Sequence, residues 1–427
     1  MRYPAQIQTA IEVTDEIGRR DTPADRIMAG FFKSRRHVGS SDKAVIADVV
    51  YEVQRWRGLY VWMLDEKGLE ETPRRLVLTH LARTGVDLDG LKEIFSGEYH
   101  APEALNDVER KLVLRLKDVD ANRAPDWAKY SCQPWLVDEF KRTFGEEGAA
   151  TELVGMNTRA HTDIRANTLK TTREALKAAL EETGLNPSLT PYSPLGLRFE
   201  GRKPLYMHDL FKAGHFEVQD EAAQLVAMLL SDKPGAWVVD FCAGGGGKTL
   251  ALAALMKNKG RLEALDINAH RLEEVRPRLI RAGVHNCRTT LLKSEHDNWV
   301  KRHAGQIETV LVDAPCSGSG TWRRNPDAKW RLTPSRLREL TEIQASILAS
   351  AATLVKPGGK MVYATCSLMK VENDDQIQNF LAKHPDFSLV PVEQAWSGSP
   401  FKGNSLQVTP AQQGCDGFFA AVLQRRN

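Results

Sequence analysis

Trp237-Val238-Val239-Asp240-Phe241-Cys242-Ala243-Gly244-Gly245-Gly246-Gly247-Lys248-Thr249 is the stretch that decides how this chain folds. The apolar run Trp237 to Phe241 has the length and composition of a buried strand, and Thr249 to Lys257 behind the glycines reads as a helix. Glycines between a strand and a helix let the backbone approach a ligand and aim helix N-terminal amides at it. The ending Gly-Lys-Thr invites a phosphate-binding loop, but that pattern requires glycine where Cys242 stands, so the match fails. An acid, Asp266, follows on the next strand, Arg261 to Ile267, where nucleotide-binding sheets hold the carboxylate that accepts ribose hydroxyls. A glycine turn followed by an acid is by itself also compatible with a plain structural turn.

Two further strand ends lie towards the C-terminus. Thr309 to Ala314 runs into Asp313-Ala314-Pro315-Cys316-Ser317-Gly318-Ser319-Gly320. Lys360 to Ala364, after the turn Lys356-Pro357-Gly358-Gly359, runs into Thr365-Cys366-Ser367, and Asp416 to Gln424 closes as a last strand. Strands alternating with helices from about Ala236 predict an α/β, doubly wound, Rossmann-like sheet. The strand ends of such a sheet open on one edge, so Asp266, Asp313, Cys316 and Cys366 are expected to converge. The plain alternative is that both cysteines are small buried hydrophobes, the usual fate of a free thiol.

Towards the N-terminus the pattern changes. Up to Arg123 only helices are expected: one capped by Ser41 with Val45, Ile46, Val49, Val50 and Val53 at helical spacing, another starting at Thr72-Pro73 with Leu76, Leu78 and Leu81 behind it. After Ala124-Pro125 comes a mixed segment. It holds a β run from Asp163 to Leu169, a helix from Arg173 to Glu182 capped by Thr172, a turn-rich stretch from Leu185 to Gly201, and an apolar helix from Gln219 to Leu230. The expected division is a helical domain at 1–123, an α+β segment at 124–235 and the Rossmann-like domain at 236–427.

The 427 residues, 42% hydrophobic and 26% charged with a net charge of +3, are those of a globular chain with ample core. So small a charge does not announce nucleic acid; basic residues would have to be concentrated locally. No secretory signal and no apolar stretch long enough for a bilayer is read, and the expected location is cytoplasmic. The six cysteines form no C-x-x-C pair, so neither a zinc site nor any other metal is expected, and no disulfide framework.

With Asp-Ala-Pro-Cys-Ser-Gly at Asp313, Thr-Cys-Ser at Thr365 and Asp416-Gly417-Phe418-Phe419, the sequence resembles the RsmB/Sun group of RNA cytosine-5 methyltransferases over nearly its whole length. Gly39-Ser40-Ser41-Asp42-Lys43 and the helix behind it resemble that group's NusB-like RNA-binding domain. Arg165-Ala166-Asn167-Thr168-Leu169-Lys170 and Gln219-Asp220-Glu221-Ala222 resemble its middle segment. The resemblance implies S-adenosyl-L-methionine as methyl donor and RNA, with small-subunit rRNA favoured, as substrate. It implies Cys366 as the nucleophile, Asp313 on the base edge and Cys316 assisting breakdown of the adduct. Cys242, Ala243, Gly244, Gly245, Gly246, Gly247, Lys248, Asp266 and Asp313 would border the cofactor. Such chemistry needs the thiol: adding a thiolate to carbon 6 makes carbon 5 of cytosine enamine-like and reactive, and Lys248 is a candidate for favouring the thiolate. Giving the attack to Cys366 rather than Cys316 rests on the family; DNA cytosine-5 enzymes resemble the opposite choice.

The chain departs from that family in places. Gly244 and Gly245 replace the usual Ala and Pro, which predicts a more mobile loop. An adenine-contacting aspartate is expected within Ser294 to Asp297, where Ser294 occupies the register, so that role stays unassigned. Pro277 is expected to kink its helix. Trp322-Arg323-Arg324, Lys329-Trp330-Arg331, Arg336 and Arg338 are expected to form an RNA surface, guanidinium groups holding phosphates and tryptophans stacking on bases. Arg35-Arg36-His37 is a second basic patch. An amino-group methyltransferase would continue from the strand-end acid with Pro-Pro-Tyr or Pro-Pro-Phe, and has no job for a second cysteine loop. An inactive RNA-binding factor has no need of Asp266, Asp313, Cys316 and Cys366. A monomer is the default.

Overall fold

A computed structural model describes residues 1–427 except Arg36, Lys117, Arg202 and 231–234. The chain divides into two compact units, one of Met1–Thr158 with Trp322–Leu332, the other of Arg159–Thr321 with Thr333–Asn427.

In the first unit every regular element among the described residues is helical, from Tyr3–Arg19 to Pro134–Met156. Ile46, Val50 and Val53 on the long helix Ser40–Asp65 have no exposed surface and pack with Ile7, Ala10, Val77 and Leu78. That helix starts one residue before Ser41: Gly39 is the N-cap, and its N–H donates to the Asp42 carboxylate at 3.1 Å. Asp42, three residues on, does the capping that a serine hydroxyl was expected to do. Thr72 caps Pro73–Arg83 as read, accepting the Arg75 N–H at 3.2 Å.

The segment Trp322–Leu332 is folded into this unit, which overturns much of the expected RNA surface. Trp322 is 1% exposed with its ring 5.8 Å from Phe140. Lys329, 3% exposed, donates to the Arg55 carbonyl and to Asn157 Oδ1, both at 2.9 Å, and Trp330 donates to the Gln54 carbonyl at 2.7 Å. Arg323 is buried too. Trp322, Arg323 and Lys329 serve the helical core and are closed to a nucleotide, while Trp330 is half-buried. In the second basic patch Arg35 lies over the Phe31 ring and pairs with Glu12, while Arg36 lies outside the described residues.

The second unit holds two sheets. The smaller is antiparallel, ordered β2-β3-β1-β4, from β1 (Thr162–Ala166), β2 (Ser188–Leu189), β3 (Gly196–Phe199) and β4 (Phe216–Val218). The β run read from Asp163 thus stops at Ala166, because Asn167 turns the chain: its Oδ1 accepts the Leu169 N–H, and its Nδ2 donates to the carbonyls of Gly214 and Ala282. The stretch read as turns contains β2 and β3. Thr172 caps the helix Arg173–Glu181.

The larger sheet runs β10-β12-β9-β8-β5-β6-β7, with β11 beside β12. Its strands are β5 (Trp237–Asp240), β6 (Arg261–Asp266), β7 (Cys287–Leu291), β8 (Ile307–Asp313), β9 (Val355–Thr365), β10 (Phe387–Val390), β11 (Leu406–Val408) and β12 (Phe418–Arg425). Neighbours from β7 to β9 are parallel; β12 is antiparallel to β9 and β10. This is the Rossmann-like arrangement expected from the alternation. Side chains of the central strands alternate between two cores, Val238, Leu311 and Val362 on one face, Val239, Val310 and Tyr363 on the other. Both faces are covered, which is why these strands read as continuous apolar runs. From β5 the chain winds outward to β6 and β7, then crosses back to β8 on the other side. That reversal opens a crevice at the strand ends between β5 and β8. The helix Ala269–Ala282 continues through Pro277.

Candidate active site

The crevice is a cavity of about 740 Å³, within the usual range for a small-molecule site. Its floor is the glycine turn. Gly246, at φ +81°, is buried against Val275, whose methyl carbon would lie 2.9 Å from an added Cβ. The helix Gly247–Leu255 begins directly behind it. Cys242, Ala243, Gly244, Gly245, Gly247, Lys248, Asp266, Asp313, Cys316 and Cys366 all line the cavity. Gly246 alone of the expected residues shapes the turn from beneath. Asp266, ending β6, accepts the Gly244 N–H through one oxygen and the Asn268 N–H through the other, each at 2.7 Å.

Asp313, ending β8, accepts a 2.6 Å hydrogen bond from Lys248 Nζ. Burial pulls the Lys248 ammonium down, but Asp313 and then the neighbouring Cys366 more than offset this, and its net shift is upward. The same ammonium sits 4.8 Å over the Phe418 ring. Behind it Asp240 is fully buried; Thr249 donates to one oxygen at 2.6 Å, and the other has no hydrogen-bond partner among the described residues. Burial pushes its carboxyl up to about 7, against the Thr249 hydrogen bond and with the charge of Asp313.

Cys316 and Cys366 come from different strand ends, yet their Sγ atoms lie 3.3 Å apart. The hydrogen bond to Cys366, then burial, then the charges of Cys366 and Glu372 hold the Cys316 thiol well above its usual range. The loops are joined through backbone: Gly320 N–H donates to the Cys366 carbonyl at 2.9 Å, and Gly417 N–H to the Gly320 carbonyl at 2.8 Å. A Cβ on Gly320 would sit 2.0 Å from the Gly417 oxygen, so the approach needs glycine at both positions. Cys132 and Cys415, by contrast, are sealed in cores, and all six cysteines are free.

Several lining residues were not expected from the sequence, among them Glu295, Gln219, Arg278 and Ile267. Glu295 follows the flagged Ser294 and accepts from Ser346 Oγ at 2.5 Å, the main reason its carboxyl sits below the ordinary range. Asp297 instead caps Asn298–Arg302. Gln219 accepts from Arg165 Nε at 2.6 Å, Arg278 donates to the Gly245 carbonyl, and Ile267 is 67% exposed beside the cavity. Among the described residues no group of three or more His, Cys, Asp or Glu is arranged to hold a metal, and no helix is long and apolar enough to cross a membrane.

Residues 227–424 match the family described as 16S rRNA methyltransferase RsmB/F, and 133–206 match its ferredoxin-like domain. The probable ribosomal RNA small subunit methyltransferase B of Synechocystis sp. is 30% identical over 98% of this chain and 99% of its own. The chain belongs to the RsmB/F methyltransferase family. A second relative, the ribosomal RNA small subunit methyltransferase B of Salmonella paratyphi A, is 29% identical over 92% of each chain. The crystal structure of PH0851 is similar over 99% of each chain, at 28% identity and a TM-score of 0.79. Within this family the cavity at the β5–β8 crevice is the candidate site of methyl transfer. Gly244 adopts φ +53°, and among the described residues nothing lies within 4 Å of an added Cβ.

Proposed function

We propose that this methyltransferase moves a methyl group from S-adenosylmethionine to carbon 5 of a cytosine in RNA, in small-subunit rRNA, through an adduct between Cys366 and carbon 6. The observation that carries the reading is the pair of thiols 3.3 Å apart beside the Lys248–Asp313 pair in one cavity.

The donor set of the cavity suits S-adenosylmethionine. Asp266 offers carboxylate oxygens to ribose hydroxyls, the turn from Cys242 to Lys248 offers backbone to the ribose and methionine end, and Ile267, Leu340 and Ile343 offer an apolar wall to the base. Glu295 supplies the carboxylate for the adenine edge that no aspartate occupies. When bound, S-adenosylmethionine supplies an electrophilic methyl group.

The protein's part is to make the pyrimidine nucleophilic. Cys366, as thiolate, adds to carbon 6, and the electron pair displaced towards N3 is met by the proton shared between Lys248 and Asp313. Carbon 5, now enamine-like, takes the methyl group. Its proton then passes to water, the C5–H electrons re-form the ring double bond as the Cys366 sulfur is expelled, and the N3 proton returns to the Lys248–Asp313 pair. Cys316 is assigned to breakdown of the adduct: its thiol, which keeps its proton, is in contact with the departing sulfur at 3.3 Å and can donate a hydrogen bond to the thiolate as it leaves. A cytosine stacked in a duplex could not be reached, so the target is unpaired or flipped.

Transfer to an exocyclic amine needs no thiol and would leave both cysteines idle. Incubation with tritiated S-adenosylmethionine and mixed RNA, followed by digestion to nucleosides, separates the readings. Label in 5-methylcytidine is expected; label in an N-methylated nucleoside would overturn the proposal, as would none at all.

A further inference from the structure

Glu372 has no exposed surface and does not line the cavity. Its carboxylate nonetheless accepts four hydrogen bonds. One oxygen takes the Ser317 N–H at 2.8 Å and Gln344 Nε2 at 2.9 Å; the other takes the hydroxyls of Ser317 and Ser367, each at 2.5 Å. A buried carboxylate is costly unless its lone pairs are satisfied, and here all are engaged.

The positions of the donors give the arrangement its meaning. Ser317 directly follows Cys316, and Ser367 directly follows Cys366. Gln344 Nε2 also donates to the carbonyl of Pro315, on the other side of Cys316, at 2.9 Å. Asn373, next to Glu372, accepts from Thr365 Oγ1 at 2.6 Å and donates to the Ser367 carbonyl at 2.9 Å, gripping both neighbours of Cys366. Each cysteine is therefore bracketed by residues tied to one buried dipeptide, with Gln344 as the extra arm.

We propose that Glu372 is the positioning residue of this site, a shared acceptor that holds the Cys316 and Cys366 loops so that their sulfurs stay in contact. It touches neither sulfur and acts through Ser317 and Ser367. The kinetic part of this inference rests on the cytosine-5 reading above; the geometric part does not.

Diamide cross-linking of the full-length protein tests the geometry directly. The two thiols lose their hydrogens to the diazene, which is reduced to a hydrazine, and the S–S bond joins the tryptic peptides His303–Arg323 and Met361–Lys370. Glu372→Asp, one methylene short of both serines, is expected to slow this cross-link about tenfold. Methyl-transfer kcat should fall in parallel, with KM for S-adenosylmethionine changed by less than about twofold. Glu372→Gln keeps the length and can pair with both hydroxyls, so it should stay within about threefold of the native rate. If Glu372→Asp does not fold, Ser367→Ala removes one tether from the same carboxylate and should slow the cross-link about fivefold. Cross-linking at the native rate in the shortened or untethered variant would overturn the proposal, as would a Gln variant no better than Asp. If the cross-linking pattern holds while the native protein makes no 5-methylcytidine, the reaction assignment fails and the positioning role stands.

Discussion

Cys316 and Cys366 are 50 positions apart in sequence, and their sulfurs are in contact at 3.3 Å. Contact at this distance serves chemistry in which one sulfur bonds to the substrate and the other donates a hydrogen bond to it as it leaves. Cys366→Ala should abolish both turnover and covalent RNA adducts. Cys316→Ala should let an adduct accumulate, visible as RNA retained on denaturing gels, while product formation stops. Exchanged phenotypes would reverse the two roles.

Asp240 gives a pH-dependent prediction. Its carboxyl is pushed up to about 7, so the native state holds a proton that the unfolded chain releases near 3.8. The stabilising contribution is complete below the unfolded value and is lost as pH rises through about 7. Asp240→Asn cannot ionise and can still accept from Thr249. Denaturant titrations should find the variant and the native protein alike at pH 4, with the variant gaining as pH rises, by at most ~4 kcal/mol at pH 8. A constant difference across that range would contradict the burial argument.

Gly320 tests how tightly the cysteine loops are joined. Gly320→Ala forces its Cβ against the Gly417 carbonyl, a backbone atom that cannot swing aside. The expected cost is about 3 kcal/mol in denaturant unfolding, together with loss of methyl transfer. Gly18→Ala, where nothing lies within 4 Å, should cost nothing measurable.

The sequence was informative where local chemistry and strand period agree. Asp266, Asp313, Cys316 and Cys366 sit at or just beyond strand ends, and a parallel sheet gathers strand ends on one edge, so their meeting was legible in the sequence alone. Strand β7 could not be read that way. Its residues Arg288, Thr289 and Thr290 lie at the sheet's edge and are largely solvent-facing, so no apolar period marks them. Glu295 lies within the window Ser294 to Asp297 but is passed over, since the register falls on Ser294 and the residue expected there is an aspartate.

The clearest misreading was Trp322 to Lys329, where basic and aromatic residues beside a catalytic loop imitate an RNA surface. Their partners, Phe140, Arg55 and Asn157, are more than 150 positions away, and no local pattern reveals contacts of that range. Arg336 and Arg338 remain exposed, and Arg336 lines the cavity. Replacing both with alanine should raise the RNA KM about tenfold and flatten its salt dependence by about two phosphate contacts, leaving the melting temperature unchanged. Trp322→Ala should do the reverse, losing about 3 kcal/mol of stability. Filter binding across salt concentrations and thermal melts distinguish the two effects.

Trapping the adduct on fluorinated RNA addresses the central chemistry most directly. With 5-fluorocytidine in the substrate and S-adenosylmethionine present, carbon 5 has no proton to lose, so the thioether formed at carbon 6 cannot be expelled. Mass mapping after trypsin and nuclease digestion should find the methylated, fluorinated nucleotide on the peptide Met361–Lys370, which carries Cys366. Its appearance on His303–Arg323 would transfer the attack to Cys316, and no covalent nucleotide on either peptide would contradict thiol catalysis altogether.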